Sequence, residues 1–390
     1  MSQAEQAPQG SVRVLHSVGH LLRGGIETWL YQTLPVLLSR GFEHHVLVRT
    51  AEEEPFTAEF REAGIPVLAC PRFTNPFHYL QDLKKVVAEH GPYDILHVHG
   101  SSLSGLLTLA LARVSGIPRT VVHSHNDVRF LLKTRSVVYR AYVHALLWGY
   151  RRLADRGLAA SRLAAESMFG DEWQRDARWE LLYCGVDCAP FAKPADESLR
   201  ARLGMPEGAY VIGHVGRFHE QKNHGFLVEV VAAAAASDQQ VHCLLIGDGP
   251  LREEVRAEIE RRGLGSRFTF VPDTSLVAQY MTSAMDCFVF PSRYEGLGLA
   301  VVEAQAAGLP CLISDRVPPE AIVNEELVRV LPLEVPASRW AEEVLQVRAG
   351  GREPKEQALA RVEGSQFNVV KSIQALQLHY RSMMNGTAAD

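Results

Sequence analysis

The chain contains 390 residues, of which 47% are hydrophobic and 22% are charged, and its formal net charge is −5. These are ordinary globular proportions, and the length is too great for one hydrophobic core, so we predict two domains. The negative net charge argues against a dedicated nucleic-acid binder, and we expect no nucleic-acid partner.

The amino-terminal residues 1–11 are polar and carry no apolar core of the signal-peptide type, so we predict that they are disordered. No later stretch approaches the roughly 18 uninterrupted apolar residues that a membrane-spanning helix needs. These features predict a cytoplasmic protein whose contact with the inner face of the cell membrane is at most peripheral.

Strand and helix patterns alternate from residue 12 onward. Val12 to Val18 has the pattern of a strand, and a turn at Gly24 and Gly25 leads into a helix. This alternation continues through the first half of the chain, which predicts a doubly wound domain with a parallel sheet over residues 12–190. Two adjacent glycines can let a phosphate approach the backbone, but they can equally form a tight turn that binds no ligand.

Four histidines follow or end two of the predicted strands. His97 and His99 belong to one strand, and His123 and His125 lie at the end of the next. Polar residues at carboxyl ends of parallel strands are where α/β proteins place their chemistry. A single histidine at such a place is also commonly a hydrogen-bonded packing residue, so both interpretations stay open.

A basic and aromatic segment occupies residues 129–156. Its cations alternate with Phe130, Tyr139, Tyr142, Trp148 and other apolar residues. Cationic residues beside aromatic ones at helical spacing suit an anionic membrane surface or a lipid-phosphate acceptor. The alternative is a helix with a solvated basic face.

A second α/β domain is predicted over residues 207–365, after a linker at 191–206 that is rich in proline, alanine and charge. Its first strand ends at Gly216, and Arg217 and Lys222 follow five positions apart. Two cations at a strand end are well placed to hold a diphosphate, although they can also be ordinary surface charges. The closing residues 366–390 contain an amphipathic helix.

The stretch from residue 291 to residue 308 joins a buried strand to a helix through a glycine-rich loop. Glu295 lies in this loop, and Glu303 lies about one turn into the helix. A strand end followed by a helix start favours an anion, and Gly296 and Gly298 lack a Cβ that would keep a ligand from the backbone. The alternative is that Glu295 is a turn residue and Glu303 a solvated helix residue.

Together these motifs resemble family 4 glycosyltransferases with the GT-B fold, of the capsule and exopolysaccharide type. The resemblance covers nearly the whole chain. It rests on the Gly24-Gly25-Ile-Glu27 turn, His123-Ser-His125, Tyr183-Cys-Gly-Val-Asp187, Gly216-Arg217 with Lys222, Gly247-Asp-Gly-Pro250, Glu295-Gly-Leu-Gly-Leu299 and Glu303. It implies an α/β protein whose two Rossmann-like domains face a central cleft, with the closing helix crossing back to the first domain.

The resemblance also implies a role for each motif residue. The donor diphosphate would contact Arg217, Lys222, Gly24, Gly25, Gly298 and Leu299. The transferred sugar would contact Glu295, Gly296, Leu297 and Gly298, and the ribose would contact Glu303. Glu295 and His125 would be the catalytic residues, with the choice between His123 and His125 left open. Because the sequence has no Asp-x-Asp motif, we expect neither a metal ion nor another cofactor.

The implied activity is retaining transfer of a hexosyl group from a nucleotide-sugar, with UDP as the expected nucleotide. The acceptor would be a glycan or a lipid-linked glycan in cell-surface polysaccharide biosynthesis. Two alternatives use the same fold. One is a nucleotide-sugar 2-epimerase, and the other is an inactive scaffold subunit of a transferase pair.

Overall fold

The computed structural model describes residues 11–132 and 135–386, so most of the predicted disordered terminus, together with Lys133, lies outside the described residues. The chain divides into two compact units. The first comprises Met1–Tyr183 and Ser372–Asp390, and the second comprises Cys184–Lys371.

The first unit is built on a seven-stranded sheet with the strand order β3-β2-β1-β4-β5-β6-β7, and all neighbouring strands are parallel. Its strands are β1 (Val12–Ser17), β2 (Phe42–Val48), β3 (Val67–Ala69), β4 (Ile95–His99), β5 (Arg119–Ser124), β6 (Arg156–Ala159) and β7 (Trp179–Leu181). Its helices are α1 (Gly25–Leu38), α2 (Thr57–Glu62), α3 (Pro76–His90), α4 (Leu103–Leu111), α5 (Arg129–Leu132), α6 (Val137–Leu153) and α7 (Arg162–Phe169).

The second unit is built on a six-stranded parallel sheet with the order β10-β9-β8-β11-β12-β13. Its strands are β8 (Tyr210–Val215), β9 (Val241–Ile246), β10 (Phe268–Val271), β11 (Cys287–Phe290), β12 (Cys311–Ser314) and β13 (Val328–Leu331). Its helices are α8 (Ala189–Ala192), α9 (Leu199–Arg202), α10 (His224–Ser237), α11 (Arg252–Arg261), α12 (Val277–Ser283), α13 (Leu299–Ala306), α14 (Ala337–Gly350) and α15 (Lys355–Gly364). The closing helix α16 (Val369–Asn385) begins in the second unit and continues, from Ser372, as part of the first.

The central strands are buried along their whole length. Every residue of β4, β9, β11 and β12 is buried, which explains why these segments are mostly apolar and carry no charged residue. A parallel sheet with helices on both faces requires such continuous apolar runs, whereas a half-exposed strand would alternate. Both hydrophobic cores therefore lie on the two faces of their sheets.

The strand order reverses at one point in each sheet, between β1 and β4 in the first unit and between β8 and β11 in the second. Ligands of open α/β sheets bind beyond the carboxyl ends of the strands at this point. In the second unit the loops at this point run from Gly216 to Asn223 and from Pro291 to Gly298. Their position follows from topology alone and does not depend on any single motif.

The unit boundary differs from the predicted one. Residues 191–206 belong to the second unit and include the short helix α9, so they do not form a free linker. Phe191 and Leu199 are buried, and Asp196 accepts a hydrogen bond from the Gln279 side chain. Two apolar anchors among prolines, alanines and charges give too weak a periodic signal to reveal this packing in the sequence.

Five helices have no counterpart in the sequence prediction. They are α7, α8, α9, α14 and α15. Trp340 in α14 is fully buried, and its indole N–H donates to the carbonyl of Pro332 at 3.2 Å.

Within the described residues, no helix combines the length and the apolar character that crossing a bilayer would demand.

Candidate functional site

The Glu295 carboxylate is buried and held at both oxygens. Lys222 Nζ donates to Glu295 Oε1 at 2.7 Å, and Gln221 Nε2 donates to Glu295 Oε2 at 3.3 Å. Gln221 also donates to the carbonyl of Tyr294 at 3.0 Å. Since Glu295 is only 5% exposed, its charge is balanced locally by Lys222 and does not depend on solvent.

Two loops of the second unit pack against each other around this ion pair. Asn223 Nδ2 donates to the carbonyl of Pro291 at 3.1 Å, and the amide of Arg293 donates to the carbonyl of Gln221 at 2.8 Å. Asn223 has a φ of 56°, in the left-handed region that asparagine tolerates better than most residues. A Cβ on Gly216 would lie 3.2 Å from the Lys222 side chain. The loops after β8 and β11 therefore form one continuous hydrogen-bonded structure.

Gly298 ends the second of these loops and caps α13. Its φ of 87° favours glycine, and an added Cβ would lie 3.3 Å from Val317. The helix begins at the next residue, Leu299, and the first amides of a helix have no intrahelical partner. Gly296 and Leu297 are buried beside them. The loop thus presents helix N–H groups, with their partial positive charge, close to the Glu295 backbone.

Glu303 lies in the second turn of α13, and its side chain is half-buried. Burial raises the pKa of its carboxyl group from the usual 4.5 to about 7, and the nearby positive charge of Lys222 opposes this rise. The group is therefore divided between its neutral and ionised forms near neutral pH. A half-buried carboxyl group of this kind has acceptor oxygens available for a ligand with hydroxyl groups.

Replacing Glu303 with glutamine is expected to make stability less dependent on pH. The folded protein retains a proton on Glu303 that the unfolded chain loses above its ordinary pKa, so the free energy of unfolding falls as pH rises from 4.5 to about 7. Between about pH 5 and about pH 8 the advantage of E303Q over the parent should grow by about 1–2 kcal/mol, a value reduced for partial exposure. Urea unfolding of both proteins at the two pH values measures this change. If the difference in unfolding free energy between E303Q and the parent is the same at both pH values, the pKa of Glu303 is not raised.

Arg217 lies on the same loop as Lys222 but is exposed. Among the described residues it forms no ion pair, so its guanidinium is not committed to a protein carboxylate. Its backbone is fixed by the Gly247–Gly249 turn, where a Cβ on Gly247 would lie 2.3 Å from the carbonyl oxygen of Gly216. The glycines of that turn therefore serve loop packing, in keeping with the absence of a dinucleotide fingerprint.

The structure thus joins Lys222 and Glu295 directly, and places Gly298, Leu299 and Glu303 on the loop and helix that continue from Glu295. Sequence reasoning missed Gln221 and Asn223, which fix the Glu295 carboxylate and the neighbouring loop. An asparagine directly before an alanine-rich helix was the available signal for Asn223.

The predicted turn at Gly24 and Gly25 opens helix α1 of the first unit. Gly24 is the cap residue, with an extended backbone, and it accepts a hydrogen bond from the Thr28 amide at 2.9 Å. A Cβ on Gly24 would meet the flexible end of the Glu27 side chain at 2.5 Å. This geometry fits a helix start with or without a bound phosphate, so both interpretations of the two glycines remain.

His125 and His123 are both buried in the first unit, with ring centroids 4.0 Å apart. His125 Nε2 lies 3.1 Å from His99 Nδ1, whereas His123 Nε2 donates to the carbonyl of Leu182 at 3.3 Å. Burial lowers the pKa of His125 to about 3, so its ring is neutral at physiological pH. A neutral imidazole can exchange hydrogen bonds with a sugar hydroxyl but cannot serve as a resident cation.

The basic segment is divided between α5 and α6. Arg129 donates to Asp127 and Glu166, so its charge is neutralised by neighbours. On α6, Val138 is 80% exposed and Trp148 is 60% exposed, with the Arg152 guanidinium 5.4 Å from the Trp148 ring. The exposed part of the segment is therefore apolar and aromatic as well as basic.

Two doubly wound units, with parallel sheets of seven and six strands and flanking helices, are the architecture of the GT-B fold. The fold agrees with that of HepE from Anabaena in complex with UDP-glucose, at a TM-score of 0.78 and 20% identity over 95% of this chain and 99% of that one. It also agrees with WaaG, a lipopolysaccharide glycosyltransferase, at a TM-score of 0.67 and 16% identity over 96% of this chain and 98% of that one.

Two family models match the chain. Residues 195–356 match "Glycosyl transferases group 1", and residues 23–189 match "Glycosyltransferase Family 4". The putative glycosyltransferase EpsF of Bacillus subtilis is 33% identical over 354 residues, which is 88% of this chain and 90% of the relative. The capsular polysaccharide biosynthesis glycosyltransferase CapH of Staphylococcus aureus is 23% identical over 75% of this chain and 78% of the relative. The chain belongs to the family 4 glycosyltransferases.

Proposed function

We propose that this glycosyltransferase transfers a hexosyl group, with retention of anomeric configuration, from a UDP-sugar to a glycan or lipid-linked acceptor in cell-surface polysaccharide biosynthesis. The proposal is supported mainly by the Lys222–Glu295 ion pair, which lies where the strand order of the second unit reverses. This pair places one fixed cation and one fixed carboxylate beside the start of α13.

The donor diphosphate is assigned to Lys222, Arg217 and the amides at Gly298 and Leu299. Negative charge builds on the leaving nucleoside diphosphate, and preorganised cations and helix N–H groups stabilise it without having to reorganise. The turn at Gly24 and Gly25 would add amides from the first unit. These groups supply the positive charge that donor activation requires, so the proposed mechanism uses no metal ion and no other cofactor.

The sugar and ribose are assigned to the two glutamates. The Glu295 carboxylate, with Gly296 and Leu297 beside it, would accept hydrogen bonds from hydroxyls near the reacting carbon. Glu303 would accept them from the ribose. His125, neutral because it is buried, would contact the transferred sugar from the first unit.

Retention follows if the acceptor attacks from the face that the diphosphate leaves. The acceptor oxygen forms its bond to the anomeric carbon as the bond to the diphosphate oxygen breaks. The leaving phosphate takes the acceptor's proton. This route needs no separate general base, which agrees with a site whose one buried carboxylate is already paired with Lys222.

The choice of UDP and of a lipid-linked acceptor draws on the relatives. One of them is named UDP-Gal:alpha-D-GlcNAc-diphosphoundecaprenol alpha-1,3-galactosyltransferase, from Escherichia coli, at 23% identity over 80% of this chain and 81% of the relative. A GDP-mannose-dependent mannosyltransferase of Mycobacterium tuberculosis is 29% identical over 59% of this chain. A guanosine donor is therefore the competing case.

Thermal-shift measurements against UDP- and GDP-sugars, followed by product analysis, test the proposal. We expect stabilisation by UDP and by one UDP-sugar, with slow release of UDP and of a free sugar of the same configuration. Isomerisation of the donor at C2 would instead identify an epimerase. Binding without turnover in the presence of lipid-linked acceptors would favour the scaffold subunit.

Peripheral membrane contact is proposed through the α6 patch, defined as Val137, Val138, Tyr139, Tyr142 and Trp148. All five are exposed, and the guanidinium of Arg135 lies 5.6 Å from the Tyr139 ring. Aromatic and aliphatic side chains can enter the lipid interface while the adjacent arginines meet anionic headgroups.

Flotation with anionic vesicles should show binding that weakens as salt increases, because each arginine near the surface contributes about 1 kcal/mol of screened attraction. The double variant V138E/W148E is expected to remain with the soluble fraction. L276E is the control, since Leu276 is an exposed apolar residue, at 53%, that lies in the second unit. Equal flotation of all three proteins would exclude the patch.

A further inference from the structure

The carboxyl ends of β4 and β5 bring three histidines together. His99, His123 and His125, here called the histidine trio, are all buried. One ring nitrogen of each lies within 4.8 Å of those of the other two. Among the described residues, the candidate metal ligands of this cluster are three imidazole rings.

His123 contributes a lone pair that has no hydrogen-bond partner. A carbonyl oxygen can only accept, so the contact with Leu182 requires the proton of His123 to be on Nε2. Its Nδ1 is therefore unprotonated. Among the described residues this nitrogen has no donor, although it is fully buried. A buried acceptor without a partner costs about 1–3 kcal/mol, so this arrangement is explained most simply by a ligand.

His99 is oriented by a chain of further histidines. His99 Nε2 lies 3.1 Å from His16 Nδ1, and His16 Nε2 lies 3.0 Å from His44 Nδ1. If His99 carries its proton on Nε2, it donates to His16, which donates in turn to His44. That arrangement leaves a lone pair on His99 Nδ1, the nitrogen that faces His125.

Three lone pairs can then be supplied without the loss of a proton. His125 shares the proton of its Nε2 with His99 Nδ1 in this arrangement. If the proton of His125 is on Nδ1 instead, neither His99 Nδ1 nor His125 Nε2 carries a proton. The trio then offers Nδ1 of His99, Nδ1 of His123 and Nε2 of His125.

We propose that the histidine trio binds a transition-metal ion of the zinc class. Imidazole nitrogens suit Zn²⁺, Co²⁺, Ni²⁺ and Cu²⁺, whereas Mg²⁺ and Ca²⁺ require oxygen ligands. Three histidines with a fourth position open is a common set for zinc. His123 donates its other N–H to the carbonyl of Leu182, and in the tautomer described above His99 donates its other N–H to His16. Metal-bound histidines usually have such an acceptor for their second N–H group.

The trio is separate from the residues proposed to hold the diphosphate. The site lies in the first unit, whereas Lys222 and Glu295 lie in the second. Metal binding therefore does not depend on the proposed assignment of the diphosphate, although zinc bound at His125 would compete with the sugar contact proposed for that ring.

A second trio consists of His16, His97 and His99, and one ring nitrogen of each also lies within 4.8 Å of those of the other two. It is the weaker candidate because His16 and His97 are both fully buried, and a divalent charge without water or an anion is costly there. His97 is also hydrogen-bonded to the Tyr380 hydroxyl, at 2.6 Å, and that hydroxyl can be the donor. Because His97 belongs to the second trio only, a substitution of His97 distinguishes the two candidate sites.

The test is a titration of the full chain, produced without a histidine tag and stripped of metal, with Zn²⁺ alone against a competing chromophoric chelator. We expect one Zn²⁺ per chain, and a Co²⁺ derivative with the absorption of a four-coordinate site. H123N should weaken Zn²⁺ binding by more than about 100-fold, beyond the usual effect of losing an outer partner. H97N and the distant control H242Q should bind as the parent does.

Failure of the parent chain to bind Zn²⁺ at one equivalent would overturn the proposal, as would binding that survives in H123N but is lost in H97N. Nitrogen-15 spectra of the histidine side chains make the test independent of whether H123N folds. In the parent chain Zn²⁺ should shift Nδ1 of His123 and leave the proton on its Nε2. Unchanged His123 resonances would assign the trio to hydrogen bonding alone. None of these measurements uses transferase activity, so a wrong donor assignment cannot produce either result.

Discussion

E295Q is expected to lower kcat by about 10²–10³-fold while leaving the fold intact. Glutamine has the size of glutamate and can still accept a hydrogen bond from Lys222, so packing of the two loops is preserved. It lacks the negative charge that strengthens hydrogen bonds to the sugar hydroxyls as the anomeric carbon becomes electron-deficient. The measurement is the initial rate at saturating donor, with UDP affinity determined by calorimetry on the same preparation.

The matched control for E295Q is E343Q. Glu343 is also buried and also ion-paired, to Arg339 within helix α14. It should lose stability without losing kcat. A normal rate for folded E295Q would refute the role of the Glu295 carboxylate. An equal loss in both variants would mean that removal of a buried ion pair, and not chemistry at the sugar, explains the effect.

K222A is expected to weaken UDP binding by about 30-fold or more, corresponding to about 2 kcal/mol. The Lys222 ammonium is held against Glu295 at 2.7 Å and lies 4.5 Å from the Phe290 ring. It is therefore a cation in a fixed position, and a diphosphate bound there would lose a charge-assisted hydrogen bond on truncation. Calorimetric titration with UDP measures the change.

Uridine is the control ligand for K222A, because it keeps the base and ribose but has no phosphate. Its affinity should be the same for the parent and the variant if Lys222 contacts the diphosphate. Loss of both affinities would show that removing Lys222 disturbs the loops, since Gln221 would then be the remaining side-chain donor to the buried Glu295 carboxylate among the described residues. Unchanged UDP affinity would exclude the diphosphate clamp.

The alternation of strands and helices could be predicted from the sequence because each central strand is a short, mostly apolar and uncharged run between polar turns. β4 was predicted with the bounds it has in the structure, Ile95–His99. Helices α14 and α15 were not predicted. Their buried residues are few and are interspersed with charged ones. Packing of α14 mainly against α10, and of α15 against α13 and α8, is what makes them stable helices.

The histidines show a different limit. Their positions at strand ends could be predicted. The hydrogen-bonded series from His125 through His99 to His16 and His44, however, joins the end of β5 to β4, β1 and β2, four parallel strands that are far apart in the chain. Which strands are neighbours is decided by the strand order, and no local pattern carries that information. His16 and His44 were therefore missed.

By itself the sequence determined the α/β class, the glycine-rich loop before α13 and the residue types at each strand end, because these depend on local periodicity and on glycine's freedom at positive φ. Only the tertiary structure decided that Lys222 pairs with Glu295, that Arg217 remains exposed, and that Gln221 and Asn223 hold the loops together. These contacts form where the strand order reverses, and they join residues about 70 positions apart in the chain. Their distances are set by sheet topology, which no short stretch of sequence encodes.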